Sequence, residues 1–321
     1  MLKKVLITAP ILRFPDLVNK AKTLFEIKII EYMPYEDLSN TINLYDGLLI
    51  NARIKLDNQL IQKAHLLKAV FSPTIGFDHV DQVSLAKKGI QFSALGLENE
   101  FRSTLWSTAE HALTLILTAY RDIKHMSSDV ENNFSWDNRK YFFNDIRNST
   151  IGIIGFGNIG KKLYELLKPF NSNILVYDPY ISTSEISQYD VSKTDLNSLL
   201  MLSDIVTLHV PLNNETKYLI DFKEFLLMKS KSIIINTSRG GVVNELAFLQ
   251  AIKENKIKGG AFDVIENESP FGVSNSLLVQ EARHNKKILI TPHVGGSSQD
   301  YLHKVFSYSL DRLSEMLTFL K

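Results

Sequence analysis

Apolar residues along the chain fall into two recurring patterns: short unbroken runs, and longer stripes that return every three or four positions. In the first third, Val5–Thr8, Ile27–Ile30, Gly47–Ile50, Ala69–Ser72 and Ile90–Ser93 read as strands, with helices over Asp16–Leu24 and Asn58–Ala64 between them. The scheme returns further on with Thr150–Ile154, Ile174–Tyr177, Ile205–Leu208, Ser232–Asn236, Gly260–Phe262 and Ile288–Ile290. Strands that are apolar almost throughout must be covered on both faces, so this alternation predicts an α/β fold with parallel sheets between helical layers. Two longer stripes predict helices at the joints. One runs through Leu105, Ala109, Leu113, Ile116, Leu117 and Tyr120 within Thr104–Lys124. The other runs through Leu302, Val305, Ser309, Leu313, Met316 and Leu320 within Ser298–Lys321.

A chain of 321 residues exceeds the usual size of one core, so two doubly wound domains are expected. The first would take residues 1–100 and, through a returning last helix, 297–321; the second would take 101–296. A composition of 45% hydrophobic and 22% charged residues is ordinary for a soluble protein. A net charge of +1, with no basic stripe or acidic tail, argues against a nucleic-acid or anionic-membrane partner. The absence of cysteine excludes disulfides, thiolate nucleophiles and cysteine-bound zinc; a cytoplasmic location is expected, and no metal. Val5-Leu6-Ile7 is too short for a signal-peptide core, and Leu113–Ala119 too short to span a bilayer.

Chemistry first shows at Thr150–Gly160, where an apolar strand runs into Gly155-Phe-Gly157-Asn158-Ile159-Gly160 and then a helical run to Leu167. In such a turn Gly155 permits the reversal, Gly157 lets backbone amides approach a pyrophosphate, and Gly160 lets helix and strand close together. The helix start adds partial positive charge for the phosphates. Asp178 closes the next strand 18 residues beyond Gly160. A carboxylate there binds ribose hydroxyls and repels a 2′-phosphate, which predicts NAD over NADP as cofactor.

Beyond this turn stand four islands, each just past a predicted strand: His209-Val-Pro211-Leu212, Ile235-Asn-Thr237-Ser238-Arg239-Gly-Gly-Val-Val, Ala261-Phe-Asp263-Val-Ile-Glu-Asn-Glu268-Ser-Pro270 and Thr291-Pro-His293-Val-Gly-Gly296. Loops at strand ends are where open α/β sheets bind ligands. Reduction of a 2-oxo acid needs a cation for the carboxylate and an acid for the developing alkoxide. Arg239 suits the first and His293 the second, with Glu268 holding the imidazole and favouring its protonated form. Taken singly, an arginine at a strand end is usually an ion-pair partner and a histidine beside proline usually structural.

The order and spacing of these motifs over nearly the whole chain resemble the D-isomer-specific 2-hydroxyacid dehydrogenase family. The resemblance implies a flavodoxin-like substrate domain and a Rossmann NAD-binding domain that pairs with a second copy; together with the length and apolar stripe of Thr104–Lys124 this predicts a homodimer, the alternative being that the stripe is intramolecular core. It implies hydride transfer between NAD and C2 of a small D-2-hydroxy or 2-oxo acid, and assigns the catalytic roles to Arg239, Glu268 and His293. Cofactor contacts would come from Gly155, Gly157, Asn158, Ile159, Gly160, Asp178, His209, Pro211 and Thr237. Asp263 would meet the nicotinamide carboxamide, or else be a buried capping carboxylate. In the first domain Thr74–Asp81 resembles the family's substrate loop, with the amides of Ile75 and Gly76 on the substrate carboxylate; Arg239 and His293 would also touch substrate. Arg53, near Asn51, hints at an anionic substrate tail.

The chain departs from the family pattern in three places. Ser269 separates Glu268 from Pro270, Asn244 stands where an acidic residue is usual, and Gly96–Glu110 is longer than usual, which would put Phe101–Trp106 in a cleft. The rival reading is an NAD-sensing corepressor of the same fold, although such relatives carry long disordered tails and the helical pattern here runs on to Lys321. A formate dehydrogenase would have glutamine at Glu268.

Overall fold

The computed structural model describes residues 2–268 and 273–318. Two compact units emerge, Met1–Leu105 with Ser298–Lys321, and Trp106–Ser297.

The first unit holds β1 (Lys4–Ile7), β2 (Glu26–Ile29), β3 (Gly47–Leu49), β4 (Ala69–Ser72) and β5 (Gln91–Ala94) in the order β2-β1-β3-β4-β5, all parallel. Side chains alternate across a strand, and here both faces are apolar. Val5, Ile7, Leu49 and Phe71 pack with the Pro15–Leu24 helix and the last helix, Gln299–Thr318. Leu6, Leu48, Ile50 and Val70 pack on the other face with Leu60, Ile61 and Leu85. The last helix presents Val305, Ser309, Leu313 and Met316 to this core, and Ser309 answers its burial by donating to the Val305 carbonyl at 2.7 Å. Leu320 of the predicted stripe lies outside the described residues.

The second unit is a seven-stranded parallel sheet in the order β12-β11-β10-β9-β6-β7-β8. Its strands are β6 (Thr150–Ile154), β7 (Asn173–Tyr177), β8 (Ser192–Lys193), β9 (Ile205–Leu208), β10 (Ile233–Asn236), β11 (Gly259–Phe262) and β12 (Ile288–Ile290). Ile151 of β6 pairs with Ile205 of β9, the point where the strand order reverses. Ligands of such sheets sit in the crevice at the strands' carboxyl ends beside that reversal. The strand β8, only two residues long and exposed, carries no apolar signal and was not predicted.

The helix expected over Thr104–Lys124 spans Ser107–Tyr120 and gives way to a second helix, Ile123–Asn133, because Asp122 takes a left-handed conformation (φ 55°). Ala109, Ala112, Leu115, Ile116 and Tyr120 are buried against Ile151, Ile153 and Ile235 of the same unit, so the stripe belongs to that unit's own core. Phe101 stacks on Tyr308 within the first unit, with ring centroids 3.8 Å apart. No described helix is long and apolar enough to cross a membrane.

Candidate active site

All seven strands of the second unit run parallel, so the loops after β6, β7, β9, β10, β11 and β12 share one edge of the sheet. Every residue singled out after position 150 lies on one of these loops or at the helix start that follows. At the reversal point Gly155 adopts φ +89°, and a Cβ there would meet the His209 carbonyl at 2.7 Å. A Cβ on Gly160 would lie 2.3 Å from the Gly155 carbonyl, so only glycine lets the Asn158–Leu167 helix start this close to the turn. Around Gly157 the space is open, with nothing of the chain within 4 Å of a Cβ. No side chain caps the first amides of that helix, at Asn158 and Ile159. Open room in front of uncapped amides at a helix start fits a pyrophosphate.

Asp178 is half-buried just past β7. Its Oδ2 accepts the Phe156 amide at 2.8 Å and its Oδ1 the Tyr180 amide at 2.9 Å, which ties the carboxylate to the glycine turn and leaves lone pairs for hydroxyl donors. His209 follows β9. Its Nε2 lies 2.9 Å from Thr207 Oγ1 and its Nδ1 3.4 Å from Thr237 Oγ1, and burial pushes the ring down to about 3, so it is neutral at neutral pH. Pro211 is exposed, two residues on.

The loop after β10 is built by Asn236, a residue whose importance the sequence reading passed over. Its Oδ1 accepts from Ser238 N (3.0 Å) and Ser238 Oγ (2.8 Å), and its Nδ2 donates to the Arg239 carbonyl at 3.0 Å. An asparagine followed two positions on by a bonded amide is an Asx turn, a signal open to a sequence reader. Gly240 presses this loop on the one after β11, since a Cβ would fall 2.0 Å from Ile265 backbone. Buried Glu245 fixes that second loop by accepting the Glu266 amide at 2.6 Å, while desolvation raises its carboxyl above the usual range. Asn244 caps the helix Glu245–Lys253 through the amides of Leu246 and Ala247, and donates to Asp221 at 2.8 Å. Arg239 itself is half-buried and donates from Nη1 to the Ser238 carbonyl at 2.8 Å; no carboxylate pairs with it among the described residues.

Asp263, at the end of β11, is 2% exposed. Its Oδ1 accepts from Thr291 Oγ1 (2.6 Å) and Val294 N (2.9 Å) and lies 3.2 Å from His111 Nε2, while its Oδ2 accepts from Gly295 N (2.8 Å). Burial alone would raise this carboxyl, but the bonds from His111, Thr291 and the two amides outweigh it and hold the group below the usual range. Asp263 thus caps the turn after β12. In that turn His293 takes φ +53° and donates its amide to the Asp263 carbonyl at 2.9 Å. Its ring leaves the turn toward Glu268, with Nδ1 and Oε1 2.6 Å apart, and Nε2 has no partner among the described residues. Ser269 and Pro270, the departure noted after Glu268, lie outside the described residues.

Comparison with known proteins decides the family. The family model for the NAD binding domain of D-isomer specific 2-hydroxyacid dehydrogenases matches residues 113–295. The chain belongs to this family. NAD is the cofactor of the matched domain, which lies inside the unit carrying the glycine turn. The chain is 32% identical over 297 residues to a D-3-phosphoglycerate dehydrogenase of Archaeoglobus fulgidus, covering 92% of this chain and 54% of that protein. A D-3-phosphoglycerate dehydrogenase of Methanocaldococcus jannaschii is 31% identical with the same coverage. The chain therefore spans about half the length of the curated relatives it matches. Among solved structures it is similar to D-lactate dehydrogenase from Aquifex aeolicus complexed with NAD and lactic acid (26% identity, TM-score 0.81, 98% of this chain and 95% of that one). D-2-hydroxyisocaproate dehydrogenase shares the fold, with a TM-score of 0.86 at 23% identity over 98% and 97% of the two chains.

The first unit carries the remaining residues of interest. After β4, Thr74 donates to the Gly76 carbonyl at 2.7 Å, and Ser72 Oγ lies 3.2 Å from His79 Nε2. Burial lowers the His79 ring, with Asp78 opposing. The amides of Ile75 and Gly76 have no acceptor among the described residues. Arg53 is exposed, its guanidinium 4.7 Å over the Tyr32 ring.

Proposed function

We propose that this chain is an NAD-dependent dehydrogenase acting at C2 of a small D-2-hydroxy acid or 2-oxo acid. The observation that carries the reading is the His293–Glu268 contact, with the opposite ring nitrogen left without a partner among the described residues, on the same sheet edge as the glycine turn. When bound, NAD supplies or accepts the hydride. The chain's own part is orientation and proton transfer. Arg239 holds the substrate carboxylate with its unengaged guanidinium N–H groups. His293 gives a proton from Nε2 to the developing alkoxide in reduction and takes it back in oxidation, while Glu268 orients the ring through Nδ1. The uncapped amides at Asn158 and Ile159 face the pyrophosphate, and Asp178 takes the ribose hydroxyls. His209, Pro211 and Thr237 complete the cofactor side. Asp263 positions His293.

For the first unit we infer that the free amides of Ile75 and Gly76 receive the substrate carboxylate and that Arg53 receives an anionic tail. The names of the curated relatives support a phosphorylated three-carbon acid as the first substrate to try. An NADH-oxidation screen over 2-oxo acids with phosphate, carboxylate and alkyl tails tests the reading. Turnover with none of them overturns it, and Arg53→Ala should raise KM for phosphate-tailed acids selectively. Asp178→Ala should narrow the preference for NADH over NADPH.

We also infer a homodimer through the NAD-binding unit. The Ser107–Tyr120 stripe is spent on that unit's core, so the support lies further on. Phe134, Trp136 and Phe142 are 92%, 91% and 93% exposed, whereas Tyr141 and Phe143 between and beside them stack on each other and turn toward His125 and Lys258. A segment that anchors alternate aromatics and exposes the others offers an apolar face to a second copy. Sedimentation of wild type against Trp136→Ser with Phe142→Ser tests it; an unchanged association state overturns it.

A further inference from the structure

At the edge of the second unit's sheet opposite the glycine turn there is a concavity of about 500 Å³. Its floor is formed by the first residues of two strands, Ile233 of β10 and Gly259 of β11, whose far ends carry Asn236 and Asp263. The cavity is therefore not the cofactor site, and its size suits a small-molecule ligand.

Four lysines line it: Lys124, Lys258, Lys286 and Lys287. The lysines that pair with carboxylates among the described residues are Lys3, Lys4, Lys20, Lys161 and Lys229, none of them in this wall. The same wall also holds two acids, each bonded to a neighbour within it: Asp122 meets His125 at 3.1 Å, and Glu281 accepts from Asn285 at 3.1 Å, so the four lysines outnumber the carboxylates two to one. Lys124 Nζ donates to the Ile288 carbonyl at 2.7 Å and the Ala282 carbonyl at 3.2 Å, and Lys258 Nζ to the Tyr120 carbonyl at 3.0 Å. These carbonyls hold the ammonium groups in place without cancelling their charge. Burial, and then repulsion from Lys286, lower Lys124 below the usual lysine range; burial likewise lowers Lys258, with Asp122 opposing. Two of the four charges are thus partly desolvated and fixed, and Lys124 and Lys286 are near enough to repel.

We propose that this cavity binds a small phosphorylated polyanion at a site separate from the cofactor's. No arginine lines it. Several ammonium point charges around one concavity suit a multiply charged tetrahedral oxyanion, whereas a planar carboxylate is matched by a guanidinium fork.

The test titrates inorganic pyrophosphate into the full chain at low ionic strength, by calorimetry and thermal midpoint, with NAD at saturation so that the glycine turn is filled. Binding should persist with NAD present and weaken about tenfold in Lys124→Gln with Lys286→Gln, a loss of about 1.4 kcal/mol. Should Lys124→Gln unfold the chain, Lys286→Gln alone, at an exposed position, should still weaken binding measurably. Pyrophosphate displaced by NAD, equal binding by wild type and the lysine variants, or no binding in the millimolar range would each overturn the proposal. Should NAD itself fail to bind, the lysine variants still decide the matter, so failure of the dehydrogenase reading stays distinguishable.

Discussion

Two imidazole–carboxylate pairs of the second unit involve the turn after β12, and they differ in nearly every physical respect. His111 and Asp263 lie 3.2 Å apart with side chains 18% and 2% exposed, and Asp263 also accepts two amides and a hydroxyl. His293 and Glu268 lie 2.6 Å apart at 44% and 41% exposure, and one imidazole nitrogen has no partner among the described residues. The same two functional groups thus hold a turn together where they are buried and saturated, and on the function proposed above they exchange a proton where they are half-exposed. On that reading, saturation of the hydrogen-bonding capacity, more than residue type, separates anchor from acid.

The largest effect that would sharpen this contrast is kinetic. His293→Ala should slow turnover by roughly 10²–10⁴-fold, the usual worth of a positioned acid, while NADH binding followed by fluorescence stays near wild type. Equal loss of binding would show that the ring serves structure instead. Next in size is Asp263→Ala, which strands a buried hydroxyl and two amides and should cost about 3 kcal/mol in urea unfolding. Because the folded carboxyl of Asp263 is held below its ordinary value of 3.8, its stabilisation is complete above that pH and is lost as pH falls through the folded value. Asp263→Asn should therefore flatten the acid limb of the stability curve below pH ~4; an unchanged limb would count against the anchor. Removing the other half of the buried pair, His111→Asn, should cost about 1 kcal/mol, the net worth of one hydrogen bond, with turnover nearly intact. The smallest change in stability belongs to Glu268→Gln, expected within about 0.5 kcal/mol of wild type. Its signature is kinetic instead. Without the carboxylate the ring loses the partner that orients it at Nδ1, so kcat should fall in both directions while NADH binding stays near wild type. An unchanged kcat would break the comparison, because Glu268 would then be no partner of His293.

How much of this was legible depended on whether the controlling interaction is local in sequence. Strands β1, β6, β9 and β10 could be read because each is apolar on both faces, whereas β8 is two exposed polar residues with nothing to distinguish them. The break at Asp122 escaped because the apolar period continues through it and no glycine or proline marks it. Gly155 and Gly160 announced themselves, since their crowding arises within one strand–turn–helix unit. Gly240 did not, because what forbids a side chain there is the backbone of Ile265, in a different loop.

The amino-acid order by itself determined the alternation of buried strands and helices, the glycine turn with Asp178 closing the next strand 18 residues beyond Gly160, and the presence of arginine, glutamate and histidine past the strand ends. These follow from periodicity and from the backbone freedom of glycine, which are properties of neighbours in the chain. Only the tertiary structure decided which carboxylate is consumed and which is available. Asp263 and Glu268 are five positions apart on one loop and alike in chemistry. One is surrounded by donors from His111, Thr291 and the turn after β12, and the other meets His293 at the surface, because solvent exposure and the count of converging donors are set by segments far apart in sequence.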